Sequence, residues 1–336
     1  MPLVSIDQAS EVADRLLAAA GVPAENAVLQ RDLLLDAEMR SIVSHGLLRL
    51  PRLVERIANG VADPVTRGRH EWTAPGFLRV DGEQGLGPVV AQAAIDAISA
   101  RAAEQGVAVA AVANANHIGM LGFYADRVAE AGKCLIAFST SEALVHPWGG
   151  RRAMIGTNPI AIGLPTGDGI FMMDTATSLV SMGEIHDHAN RGAPIPPGWA
   201  LDGEGNPTTD AAAARDGAIA PFGGPKGYAL GLAFELLLTA LAGSAIGREV
   251  KGTLDSTEPC TKADLFIVID QELAPVAHFV ELLRNEAPAD GFEGVRIPGE
   301  RGRLLRQKAL AEGIEIADVT WSRLRELAGP AESIKD

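Results

Sequence analysis

Residues 106–132 read GVAVAAVANANHIGMLGFYADRVAEAG. The stretch opens as an unbroken run of small and β-branched apolar residues, the composition of a strand covered on both faces. It ends as GFYADRVAEAG, a helix-like run that stops at a glycine. A buried strand passing directly into a helix is the repeating unit of an α/β sheet protein. Between the two lie Asn114, Asn116 and His117, with Gly119 and Gly122. A strand end followed by a glycine-bearing loop is where such proteins build ligand sites. A His that closes the turn by hydrogen bonding explains the same residues equally well on local grounds.

Working outward, the spacing predicts helices over residues 7–59, with Pro51 in the first turn of the last one. Residues 60–76 read as a connection. FLRVDGEQGLG predicts a short strand and a glycine turn, and PVVAQAAIDAISARAAEQ an Ala-rich helix. Downstream, LIAFSTS, IGTNPIAIGLP and GIFMMDTATS read as strands, and residues 183–224 as a long surface excursion rich in Pro, Gly, Asp and Asn. A helix over 227–243, the strand ADLFIVID, a helix over 275–284 and a helical tail opened by IPGERGRLL complete the chain. Strands first alternate with helices and then cluster. This predicts an α/β fold with a mixed sheet flanked by helices.

Of the 336 residues, 47% are hydrophobic and 21% charged, the balance of a soluble chain long enough to bury a core without disulfides. The length suggests two domains. A formal charge of −14 argues against nucleic acid and anionic membrane surfaces, which recruit basic patches. The acidic, amphipathic start MPLVSIDQASEVADRLL has no apolar signal core. The most membrane-like stretch, residues 229–246, carries Glu235 near its middle and reads as a core helix. Cys134 and Cys260 sit in apolar settings and read as buried, reduced thiols of a cytoplasmic protein.

Two glycine loops resemble nucleotide motifs and fail their tests. GEQGLGPVV (82–90) has Val90 at the third glycine position, and the next strand ends in Asn114 and Asn116, not in a ribose-binding carboxylate. GGPKGYA (223–229) is too short between glycines for a P-loop and lacks its Lys-Ser/Thr pair. Lys226 nevertheless precedes an apolar helix, where the dipole disfavours a cation. Either it is a solvated lysine, or it and the free N–H groups bind an anion, which the flanking glycines favour.

Ionisable side chains gather at three turns. In SHGLLRLP, His45 and Arg49 share a face if a helix begins near residue 46. Arg49 suits a substrate carboxylate, held in a fork, and His45 suits proton transfer near neutral pH. A capping Ser44, a packed His and a surface Arg are the bland alternative. His117 is the second. The third is HDHANRG, where His186 and His188 fit a solvated loop or a pocket edge better than a metal site. With no GxSxG elbow and no Cys beside a local His, nucleophilic catalysis has no support.

SHGLLRLP, NANHIGMLGFYA, HPWGGRRAMIGTNPIAIGLP, MMDTATS, PIPPGWALDGEGNPTTD, GGPKGYALGL and IPGERG occur in this order. Together they resemble the malate/L-lactate dehydrogenase family that is unrelated to ordinary Rossmann dehydrogenases. The likeness spans about residues 5–330. Relatives in that family include sulfolactate, ureidoglycolate and diketogulonate dehydrogenases or reductases and piperideine-2-carboxylate reductases. The resemblance implies a distinctive non-Rossmann NAD(P) domain built from residues 116–289. It implies an N-terminal helical segment over 1–75, and a substrate and dimer domain from 76–115 plus 290–336. It also implies a homodimer, NAD or NADP as cofactor, and hydride transfer to a small 2-keto acid or from a 2-hydroxy acid.

Carried over by motif, His45 becomes the proton donor and acceptor, Ser44 orients it, and Arg49 holds the substrate carboxylate. His117 and Gly119 line the nicotinamide pocket, His117 also meeting substrate. Ser139, Thr140 and Ser141 end a strand facing the cofactor. Met173, Asp174, Thr175 and Ala176 contact the nicotinamide or its ribose. Lys226 meets a phosphate, and Pro298, Gly299 and Glu300 close over the cofactor. Glu184 stands where relatives often carry a basic residue, which would alter the acid accepted if it faces the substrate; Pro225 is a second local variation. No metal is expected. The alternatives are a cyclic-imine or diketogulonate reductase and, outside enzymes, a nucleotide-binding protein without turnover.

Overall fold

The computed structural model describes residues 1–329. The chain begins with β1 (Leu3–Val4), α1 (Ile6–Ala19), α2 (Ala24–Met39) and α3 (Leu50–Ala58). Next come β2 (Arg69–Ala74), β3 (Phe77–Asp81), α4 (Gly87–Gln105), β4 (Val107–Ala113), α5 (Gly122–Glu130) and β5 (Cys134–Ser139). The middle holds β6 (Ile160–Pro165), β7 (Ile170–Thr175), α6 (Met182–Asn190), β8 (Ala200–Leu201), β9 (Pro207–Thr208), α7 (Ala211–Ala214) and β10 (Ala218–Ile219). The last part holds α8 (Pro225–Ala242), β11 (Ala263–Ile269), α9 (Ala277–Arg284), α10 (Glu300–Glu312), β12 (Ile314–Glu315) and α11 (Asp318–Ala328).

The predicted mixed sheet is present. Seven strands lie in the order β2-β3-β4-β11-β5-β6-β7. Only β3 and β4 pair in parallel, joined through α4; every other pair is antiparallel. The late strand β11 sits at the centre, and α4 and α8 cover its two faces, which explains the run ADLFIVI. Alternate residues of β4 divide between two cores. Ala108, Ala110 and Val112 join α4, α5 and the N-terminal helices, while Ala111 and Ala113 meet Leu238 and Ala242 of α8.

The two ends of the chain meet. β1 pairs with β12, and α1 packs on α11. α2 runs through the middle of this layer, with Leu33 to Met39 all buried. It is therefore not amphipathic by pattern, because neighbours cover it on every side.

Three sequence expectations need correction. Residues 69–74 are not a plain connection; they add strand β2 to the edge of the sheet. The excursion over 183–224 is a small folded unit, β10-β8-β9 with α6 and α7, around Ile185, Ile195, Ala200, Ala211 and Ala214. The 229–246 helix buries only one face, and Leu230, Leu236 and Leu237 are exposed. Glu235 is fully buried there because it accepts from the Gly156 and Gly247 N–H groups and from Asn158. No described helix is long and apolar enough to cross a membrane.

Candidate active site

SHGLLRLP does not place His45 and Arg49 on one helix. Two short 3-10 turns, Val43–His45 and Leu47–Arg49, meet at Gly46, and α3 starts only at Leu50. Leu47 and Leu50 are buried and pin the segment from below. The functional side chains converge by folding back. The Arg49 Nε–H donates to the Ser44 carbonyl at 2.6 Å. Ser44 Oγ lies 3.0 Å from His45 Nδ1.

The opening stretch delivers His117 to the same place. The His45 and His117 rings are 5.3 Å apart between centroids and tilted by 40°. His117 Nδ1 accepts the Gly119 N–H at 3.0 Å, so the neutral ring carries its proton on Nε2. The two asparagines hold the turn itself. Asn114 adopts φ +58° and donates to Asp81. Asn116 donates to the Gln84 and Gly85 carbonyls and accepts from Arg56. The glycines are steric: a Cβ on Gly87 would lie 2.2 Å from the His117 oxygen, and one on Gly119 would lie 2.1 Å from Leu33. GEQGLG therefore serves as a packing surface for the His117 turn.

A cleft opens beside these residues, lined by Arg49, Arg52, Arg56, Asn116, His117 and Thr253 among others. No carboxylate is among its lining residues. Arg56 is spent on Asn116, the Val61 and Asp255 carbonyls and the Asp255 carboxylate. Arg49 and Arg52 have no ion-pair partner among the described residues, and each raises the potential on the other. Burial, and then Arg52, lowers Arg49 to about 10. Burial, and then Arg49, lowers His45 to about 3. Burial also holds His117 well below the usual imidazole range, with Arg49 and His45 adding to it. An anion seated on Arg49 would offset the smaller, coulombic part of the His45 shift.

The expected cofactor residues divide into free and occupied groups. Ser139 Oγ donates to Asp264, which pairs with Lys262, all three buried. Thr140 Oγ1 accepts the Ala263 N–H, and Ser141 Oγ accepts the Thr157 N–H. Asp174 accepts the Gly122 N–H at 2.7 Å at the start of α5, and burial raises it to about 6. Their side chains secure the frame, which leaves backbone and edges for a ligand. Met173 pairs with Ile162 in the sheet, Thr175 is exposed and Ala176 half-buried. Gly299, at φ +89°, lies against β7: its Cβ would sit 2.7 Å from the Met172 oxygen. Pro298 is therefore held next to the Met173 strand, while Glu300 binds Arg284. Lys226 is exposed at the start of α8, after Gly223 and Gly224, both with positive φ.

Glu184 lies in the first turn of α6 with its carboxylate 3.8 Å from His188 Nε2, outside the cleft lining. His188 is half-buried against Trp199 and the Pro194 carbonyl, and His186 is exposed. No described cluster of His, Cys, Asp or Glu could hold a metal. Both cysteines are free; Cys260 is buried and Cys134 half-buried. Sequence reasoning missed Arg52 and Arg56, although RLPRLVER repeats Arg at helical spacing, and missed the buried Lys262–Asp264 pair, which leaves no periodic trace.

Comparison with known proteins agrees with this fold. A solved dehydrogenase from Sinorhizobium meliloti superposes with a TM-score of 0.94 at 48% identity over 98% of both chains. The sulfolactate dehydrogenase structure from Methanocaldococcus jannaschii gives 0.90 at 34% identity, covering 97% of this chain and 96% of that one. Among curated sequences, the L-sulfolactate dehydrogenase of that organism is 36% identical over 91% of each chain. A Delta(1)-pyrroline-2-carboxylate reductase from Ancylobacter novellus is 34% identical over 94% of each. The family model described as malate/L-lactate dehydrogenase matches residues 4–325, and the chain belongs to that family.

Proposed function

We propose that this protein is an NAD(P)-dependent dehydrogenase of small 2-hydroxy acids that carry a second acidic group, of the malate or sulfolactate type. The observation that carries this is the pair Arg49 and Arg52: two guanidiniums without ion-pair partners among the described residues, in one cleft beside two histidines. One substrate carboxylate neutralises one of them, and a second anionic group answers the other. A cyclic imine with a single carboxylate leaves Arg52 unmatched. The sulfolactate and malate dehydrogenases among the relatives support the same substrate class.

In this assignment Arg49 fixes the substrate carboxylate in a fork. His45 gives a proton to the 2-oxygen in reduction and takes it back in oxidation, with Ser44 at its other nitrogen. His117 donates an Nε2 hydrogen bond to the same region. The exposed Lys226 at a helix start, between glycines that bring backbone N–H groups close, fits a phosphate-bearing cofactor. Met173 to Ala176 and Pro298 to Glu300 form the wall beside it. A nicotinamide cofactor held there would supply or take up the hydride.

On this reading residues 116–289 serve the cofactor, and the helical ends of the chain serve the acid. The exposed apolar face of α8, with Leu230, Leu236 and Leu237, supports a homodimer. The protein is assigned to the cytoplasm, where its two thiols stay reduced.

The test is nicotinamide absorbance on purified protein, with NADH and NADPH offered separately. Oxaloacetate and sulfopyruvate should be reduced with kcat/KM well above that for pyruvate. Turnover confined to pyruvate or to a cyclic imine rejects the second anionic group. Cofactor binding without turnover on any acid or imine rejects the dehydrogenase.

A further inference from the structure

We propose that Glu38, at the end of α2, is a positioning residue of this reaction. Its carboxyl holds the peptide between His45 and Arg49 by accepting the Leu47 N–H, and so sets the spacing of the imidazole and the guanidinium. The inference rests on the roles given above to His45 and Arg49.

The gap it fills is created by the turn. Gly46, at φ −93° and ψ −152°, separates the two 3-10 turns. Within the first turn, the His45 and Gly46 N–H groups find the Ile42 and Val43 carbonyls; within the second, Arg49 N–H finds Gly46. The break leaves the Leu47 N–H without a backbone acceptor, and the nearby Ser44 carbonyl already receives Arg49 Nε. A buried N–H left alone is costly. Glu38 Oε1 meets it at 2.7 Å, reaching across from another helix. Glu38 is 7% exposed, and it has no ion-pair partner among the described residues. Its contact with the turn also explains Gly46, whose backbone angles do not demand glycine. A Cβ there would lie 2.3 Å from Glu38 Oε1 and 2.8 Å from Cγ. The carboxyl thus presses directly on the residue that joins the proton donor to the clamp. Burial raises Glu38 to about 7 against the lowering by the Leu47 N–H, so this carboxyl is kept where its charged form is not stabilised by a cation.

The experiment compares Glu38→Ala with Glu38→Gln in the full chain. Gln keeps the length and the acceptor; Ala removes both. Two readouts are taken: steady-state kinetics with the acid that is reduced, and amide deuterium uptake of residues 41–53. Glu38→Ala should lower kcat by about tenfold and raise the KM of the acid, the size expected for one lost buried hydrogen bond, with cofactor KM unchanged. Uptake in the turn should quicken. Glu38→Gln should restore both readouts. If Ala does not fold, Glu38→Asp, one methylene too short to reach, takes its place. Wild-type kcat and KM in the Ala variant, or a Gln variant as impaired as Ala, overturns the proposal. Unchanged uptake in the Ala variant also overturns it, with or without turnover. Should His45→Asn prove fully active, the assignment of His45 fails, a result separate from whether Glu38 holds the turn.

Discussion

His117 of the cleft and its neighbour His45 sit 5.3 Å apart but are held in opposite ways. His117 lies in the loop that follows β4, and a backbone N–H points at its Nδ1. That partner can only donate, so it suits a ring that stays neutral. His45 sits on an irregular turn, and its Nδ1 faces the Ser44 hydroxyl. A hydroxyl donates or accepts, so it tolerates either charge state of the ring. On the proposed roles, the loop after β4 fixes a hydrogen-bond donor and the turn houses the group that changes its proton.

The largest effect should come from reversing that division. His45→Asn is expected to lower kcat by about 10²–10⁴-fold, the usual worth of a positioned acid–base group, while NAD(P)H still binds by fluorescence titration. His117→Asn keeps a hydrogen-bond donor and should cost much less. Equal losses in kcat from the two variants would dissolve the distinction.

Arg49→Lys should follow. Lysine cannot reproduce the fork, and it loses the Nε–H bond to the Ser44 carbonyl that closes the turn. The KM of the acid should rise by about 10–100-fold, the range for hydrogen bonds to a charged group, with a smaller fall in kcat. A rise in cofactor KM instead would place Arg49 on the other side of the cleft.

Much of this site was legible in the sequence, and the limits are physical. The strand-to-helix switch over 106–132 announced itself because period and composition change together. The mixed sheet followed from strands that cluster late in the chain. By contrast, periodicity says nothing about Gly46 breaking a 3-10 turn, so His45 and Arg49 were expected on one helical face. The edge strand β2 was hidden because Arg69 to Ala74 are all exposed, leaving no buried face to alternate. The folded unit within 183–224 was hidden by its turn-rich composition. Asp174 and Ser139 sit in motifs that imply ligand contact, yet their side chains bind α5 and Asp264. A motif fixes where a residue is, not which way its side chain is already committed.

Glu38 contributes a pH dependence of stability of its own. Its folded pKa, about 7, lies above the ordinary 4.5, so the folded chain holds that proton more tightly than the unfolded chain. The stabilisation is fully present below about pH 4.5 and is lost as pH rises through 7. Glu38→Gln removes the titration. By urea unfolding it should be more stable than wild type by about 2 kcal/mol at pH 8, with the difference shrinking steadily towards pH 5. A constant difference across that range would mean the carboxyl does not titrate in the turn.

The smallest effect, and the sharpest for substrate choice, belongs to Arg52. It stands on α3 one turn beyond Arg49, exposed at the cleft, where its charge is felt by Arg49 and His117. Because it is exposed, solvent screens much of its pull on an anion. Arg52→Gln should therefore lower kcat/KM for an acid with two anionic groups by only about tenfold, or 1.4 kcal/mol. It should leave a single-carboxylate analogue nearly unchanged, because Arg49 still holds that carboxylate. The measurement is the ratio of kcat/KM for oxaloacetate and pyruvate at low and high salt. In the wild type that ratio should fall with added salt, as screening weakens the distal contact, and in the variant it should not respond. A ratio that Arg52→Gln leaves untouched would move recognition of the distal anion to another side chain and leave Arg49 as the one guanidinium that selects the acid.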